Sequence, residues 1–99
     1  MRQYVLVTYD ISNEKRLRRM FKLLRGYGEH VQYSVFLCQL TDKDKVILAE
    51  KINNILNHNE DQAILIALGR IEGRRECLPQ HWQVIGTPIA LSDNSVMIY

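Results

Sequence analysis

Tyr4-Val5-Leu6-Val7-Thr8-Tyr9-Asp10-Ile11-Ser12-Asn13 runs directly into Glu14-Lys15-Arg16-Leu17-Arg18-Arg19-Met20-Phe21-Lys22-Leu23-Leu24-Arg25, and the change of pattern between the two decides the fold. The first six residues are β-branched, aliphatic or aromatic, the composition of a strand. Ser12 or Asn13 can cap the element that follows, because either side chain accepts a hydrogen bond from an otherwise orphan helical N–H. Leu17, Met20, Phe21 and Leu24 then fall at the i, i+3, i+4, i+7 spacing of one helical stripe. Gly26 and Gly28 are expected to end that helix through a left-handed cap.

The same two periods repeat downstream. Residues 29 to 40 read as extended chain, with a short strand near 30–32, a bend at Tyr33-Ser34 and a longer strand over 35–40. Thr41-x-x-Asp44 has the form of a capping box with Asp in place of Glu. A second helix is expected to run to about Leu56, with Leu48, Ile52, Ile55 and Leu56 on one face. Asn57-His58-Asn59-Glu60-Asp61 reads as a turn. Ala63-Ile64-Leu65-Ile66-Ala67-Leu68 is apolar at every position, which predicts a strand covered on both faces. The order β-α-β-β-α-β lets two helices bury their stripes on one face of an antiparallel sheet, an α+β sandwich of the ferredoxin-like kind. Residues 1–99 are read as one domain, with a core over 1–68, a linker over 69–82 and a C-terminal strand segment over 83–99. The apolar ending Val96-Met97-Ile98-Tyr99 would fray unless it docked on its own sheet or on a second subunit.

Ninety-nine residues with 46% hydrophobic and 24% charged content suit one soluble domain and exclude disordered, collagen-like and coiled-coil chains. The longest aliphatic run, six residues, is far short of the ~20 that span a bilayer. The strand begins too near the first residue to leave room for a signal peptide, so no membrane partner and a cytoplasmic location are expected. Two widely spaced cysteines, Cys38 and Cys77, agree with a reducing compartment. Net charge is only +2, yet residues 1–33 carry seven cations against three anions, a local excess of +4. A concentrated basic third says more about partners than the total does, because fields act locally.

Asp10 stands at the end of the first strand, where a scaffold hands side chains to solvent. A carboxylate there suits a hard cation such as Mg²⁺, which is often held by one or two carboxylates with water and phosphate oxygens; it equally suits an Asx-turn or a helix cap. On the first helix, Lys15, Arg19 and Lys22 lie opposite the apolar stripe, with Arg16, Arg18 and Arg25 on its flanks. Such a row is either a solvated face or a phosphate-binding one, and the arginines favour phosphate because the guanidinium fork matches its oxygens. Tyr9, Tyr33 and Phe36 can stack on bases or pack in a core. Cys77-x-x-x-His81 is half of a zinc site at best, and Gly26-Tyr27-Gly28 matches neither a P-loop nor a dinucleotide fingerprint.

Tyr9-Asp10-Ile11-Ser12, the arginine-rich helix from Arg16 to Leu24, and then Gly26-Tyr27-Gly28-Glu29-His30-Val31-Gln32-Tyr33-Ser34-Val35-Phe36 together resemble the second core CRISPR-associated protein family ("Cas-two"), the small partner of the spacer integrase. The resemblance covers roughly residues 1–68 and is loose beyond Gly69. It implies a homodimer in which each C-terminal strand pairs onto the other chain's sheet. It also implies a role in CRISPR adaptation, with a Mg²⁺-dependent endonuclease site at Asp10, beside Tyr9, acting on single-stranded RNA or duplex DNA. Nucleic-acid contacts are implied at Arg16, Arg19, His30 and Phe36, to which the basic face of the first helix adds Arg18 and Lys22. Family members often carry arginine where this chain has His30, and a histidine supplies that charge only in its protonated form. The alternatives are a non-catalytic DNA-binding adaptor between integrase subunits and a toxin-type ribonuclease on the same fold.

Overall fold

The computed structural model describes residues 1–71 and 82–89 of the chain. Six elements follow one another: β1 (Gln3–Asp10), α1 (Glu14–Arg25), β2 (Gly28–Gln32), β3 (Val35–Leu40), α2 (Asp42–Ile55) and β4 (Gln62–Arg70). The strands form one sheet in the order β2-β3-β1-β4, with every neighbouring pair antiparallel. This is the expected ferredoxin-like arrangement, in which each helix carries the chain across the sheet between two strands that are not consecutive in it.

Both helix starts follow from local chemistry. Asn13, in extended conformation, takes the N-cap of α1: its Oδ1 accepts from the Arg16 N–H at 3.0 Å. Ser12 instead turns its backbone N–H and hydroxyl to Asp61 and Glu60. Thr41 and Asp44 form a reciprocal capping box at α2, the Asp44 N–H donating to Thr41 Oγ1 at 3.1 Å. The end of α1 differs from expectation. Gly26 lies at φ −75°, inside the right-handed region, and Gly28 already belongs to β2. Gly28 is needed for space: a Cβ there would collide with the Leu37 carbonyl oxygen and fall 2.7 Å from the Cα and Sγ of Cys38.

The core lies between the helices and one face of the sheet. Val5, Val7 and Tyr9 of β1 and Phe36, Cys38 and Leu40 of β3 meet Met20 and Leu24 of α1 and Leu48 and Ile52 of α2. Burial pushes the Cys38 thiol up to about 12. The other sheet face alternates with this one, and it corrects the reading of β4. Ala63 and Leu65 pack on the core, whereas Ile64 and Ile66 are 47% and 42% exposed. Among the described residues, β4 is covered on a single side. Gly69 and Arg70 also continue β4 instead of opening a linker. Cys77, His81 and the C-terminal residues 96–99 lie outside the described residues. Among those described, no helix is long and apolar enough to cross a membrane.

Candidate nucleic-acid interface

Strand alternation separates Tyr9 from Asp10. Even-numbered β1 residues face away from the helices, so Asp10 lies on the same face as Leu6 and Thr8, opposite Gln62 of β4, and is exposed. Tyr9 points the other way and is 7% exposed. Burial pushes its phenol up to about 12, reinforced by nearby Tyr33 and partly offset by a hydrogen bond with Ser34. Tyr9 therefore stays protonated near neutrality and can act as a donor but not as a base.

Two of the expected nucleic-acid ligands are committed elsewhere. Phe36 is fully buried in the middle of β3, with its ring centroid 5.3 Å from Phe21, 5.0 Å from His30 and 6.4 Å from Tyr9. It has no free face to offer a base. Arg16 is engaged by Asp61, which accepts from its Nε at 2.6 Å and from its Nη2 at 3.3 Å. The Asp61 side chain is sealed from solvent and also accepts from the backbone N–H groups of Asn57 and Ser12. The Arg16 guanidinium holds the Asp61 carboxyl below the ordinary carboxylate value, helped by those two N–H groups. Arg16 thus ties the start of α1 to the α2–β4 turn, and its fork is spent on a carboxylate where a phosphate was expected.

The remaining α1 cations face solvent. Lys15, Arg18, Arg19, Lys22 and Arg25 are all exposed. Among the described residues, Arg18 is the one of them that meets an acid, Glu14 at 3.5 Å, and both of those side chains are largely in water, where such a pair adds little. Lys15 and Arg19 lie along one side of the helix. Arg18, Lys22 and Arg25 line the other, beside a groove of about 700 Å³ between α1 and the β2–β3 hairpin. Arg25 also lies over the Phe21 ring, 5.9 Å from its centroid. His30, on β2, faces Phe21 edge-on at 5.0 Å and lines the same groove.

Asp10 is a hard oxygen donor in solvent, which fits a cation of the Mg²⁺ type. Among the described residues no three His, Cys, Asp or Glu side chains converge to complete a metal site. Among the described residues Asp10 is thus the one carboxylate the site offers, and water, phosphate or a second chain can supply further ligands.

Residues 1–74 match the family model for CRISPR associated protein Cas2. The chain belongs to the Cas2 family. It is 44% identical over 73 residues to the CRISPR-associated endoribonuclease Cas2 of Geobacter sulfurreducens, spanning 73% of this chain and 76% of that one. It is 46% identical over 65 residues to a CRISPR-associated endoribonuclease Cas2 of Thermodesulfovibrio yellowstonii, spanning 65% and 71% of the two chains. Among solved structures, Streptococcus pyogenes Cas2 aligns at TM-score 0.65 and 31% identity, covering 84% of this chain and 99% of that one. A Thermus thermophilus protein aligns at TM-score 0.72 and 26% identity, covering 91% and 99%.

The interface differs from the sequence reading in one addition and two subtractions. Asp61 was read only as part of a turn, although it decides what Arg16 can do. The two are 45 positions apart, and no local pattern joins them.

Proposed function

We propose that this Cas2 chain is a metal-dependent endoribonuclease of CRISPR adaptation that grips nucleic acid by its backbone and works as a homodimer. The observation that carries the proposal is the row of exposed cations on α1, from Lys15 to Arg25, which the fold leaves available. Such a row binds phosphates without reading sequence. The curated relatives are named endoribonucleases, which favours RNA as the substrate.

Asp10 would hold Mg²⁺, which supplies Lewis-acid stabilisation of the scissile phosphate and an activated water. The chain's own contribution is positional. Arg19 and Lys15 hold the backbone on one side of α1, and Asp61 keeps Arg16, and with it the helix start, in place. The dimer reading rests on the sheet face that carries Asp10. Ile64 and Ile66 lie exposed there opposite Thr8 and Leu6, so a second copy packed on this face would bury apolar surface and bring up a second Asp10. A Mg²⁺ site built from two carboxylates would follow.

The adaptor reading has its own support, since among the described residues no group of three metal-ligating side chains converges at Asp10. In that role the same cations would hold the duplex between integrase subunits with no need for Asp10. Cleavage of labelled single-stranded RNA and duplex DNA by wild type and Asp10→Ala, with Mg²⁺ and with EDTA, separates the two. Loss of RNA cleavage in both Asp10→Ala and EDTA is the expected result. Equal cleavage by the variant, or none by wild type, would leave the adaptor.

A further inference from the structure

The groove between α1 and the β2–β3 hairpin has a composition that backbone binding does not call for. Tyr9, Phe21 and His30 are among the residues that line it. At its mouth stands Tyr33, with 81% of its surface in water. The hairpin that carries Tyr33 is firmly placed. Gln32 pairs with Val35 across it, the Tyr9 N–H donates to the Ser34 carbonyl at 3.1 Å, and Ser34 takes a left-handed φ of 60°. A large exposed ring held by a strained non-glycine residue is a costly arrangement for a mere loop tip. Along the rim, Arg18, Lys22 and Arg25 form one edge of α1, with Glu14 beside Arg18 at 3.5 Å and a net positive charge left over.

Aromatic residues lining a concave space, with cations along one edge, match a nucleobase and its phosphate. A volume of about 700 Å³ lies within the ~300–1,000 Å³ usual for small-molecule sites. A duplex cannot use this space, because its bases are stacked on one another and only its backbone is offered. We infer that the α1–β2 groove holds one unstacked base of a single-stranded nucleic acid, stacked against Tyr33, with the adjoining phosphates on Arg18, Lys22 and Arg25.

This site deepens the backbone-binding reading and rests on it. It gives the protein separate means of holding the two kinds of strand: α1 cations for any backbone, and the groove for an unpaired base. Stacking on an aromatic side chain is worth roughly 5- to 150-fold in affinity per base when the ring is truncated.

The test uses full-length protein and three probes: a 12-nucleotide RNA with one 2-aminopurine, the same RNA with an abasic site in its place, and a 12-base-pair duplex. Wild type should bind the first probe with a change in 2-aminopurine fluorescence, and the abasic probe more weakly. Tyr33→Ala, at an exposed position, should weaken single-strand binding roughly 5- to 150-fold and leave the duplex unchanged, while Tyr33→Phe restores it. Adenosine monophosphate serves as competitor, and displacement of the RNA only at concentrations far above the RNA's own Kd is expected if the base is held as part of a strand. Duplex binding with no difference between Tyr33→Ala and wild type on the 2-aminopurine RNA would overturn the groove site alone. So would tight binding of the mononucleotide without binding of the RNA. Failure of wild type to bind either nucleic acid would remove the backbone reading and the groove site with it.

Discussion

Replacing Phe36 by alanine separates a core residue from a nucleic-acid ligand at a single position. The ring is fully buried and meets Tyr9, Phe21 and His30, so truncation empties the space where β3 faces α1. Phe→Ala in a core costs about 3–5 kcal/mol, the transfer loss plus the cavity left behind. A domain of this length has a total stability of roughly 5–15 kcal/mol, so the variant gives up about a fifth of it or more. With each kcal/mol worth roughly 4–8 °C in a domain this small, Tm should fall by roughly 12–40 °C. Phe36→Leu keeps most of the volume and should cost about 1–1.5 kcal/mol. Urea unfolding followed by circular dichroism, at one fixed protomer concentration, measures both. Duplex binding well below the leucine variant's transition should match wild type within twofold. A loss under about 1 kcal/mol in Phe36→Ala, with tenfold weaker binding in Phe36→Leu, would refute the placement of this ring and restore it as a ligand.

Gly28→Ala must push β2 and β3 apart, because the new Cβ meets the Leu37 carbonyl and the Cys38 Cα and Sγ. A destabilisation of about 1–3 kcal/mol should appear as a lower urea midpoint, and an unchanged midpoint would argue against the close approach. Thr41→Ala removes one half of the α2 capping box and should cost about 1 kcal/mol by the same measurement. Asp61 gives an acid-dependent term whose sign follows from its carboxyl being lowered from 3.8 in the folded protein. The unfolded chain binds that proton more readily, so the stabilisation is whole above about pH 4 and is lost as pH falls through the folded value. Tm should therefore drop more steeply between pH 5 and pH 2.5 in wild type than in Asp61→Asn, and parallel curves would count against the Arg16 clamp. Arg19→Ala should weaken duplex binding without sequence bias and reduce the salt slope by about one.

The frame of this fold was legible because it is written in local periods. The strand-to-helix change at Asp10–Glu14, the stripe Leu17, Met20, Phe21, Leu24 and the Thr41–Asp44 box are all short-range patterns, and each has the element it predicted. What was not legible depends on residues far apart in the chain. Phe36 belongs to a strand apolar on both faces, so nothing in its neighbours tells a core ring from a stacking ring. Arg16 looks like its fellow α1 arginines until Asp61 is brought beside it. The run Ala63-Ile64-Leu65-Ile66 is equally apolar whether or not a helix of the same chain covers its outer face. The glycine at 28 was read for its backbone freedom, whereas its neighbours across the ladder demand it for lack of a side chain. Tyr33 was noted as a possible stacking ring, but the groove beside it exists only once α1 has docked against β2.

The buried thiol of Cys38 makes the central strand of this protein a chemical clock. With its pKa pushed up to about 12 by burial, the thiol stays protonated near neutral pH while the chain is folded, and the sulfur is enclosed as well. Alkylation must wait until β3 parts from β1 or β2. In a Cys77→Ser background, the labelling rate at low denaturant would count those openings directly. Repeating it with nucleic acid bound would tell whether a ligand gripped on α1 slows the motion of a strand it never touches.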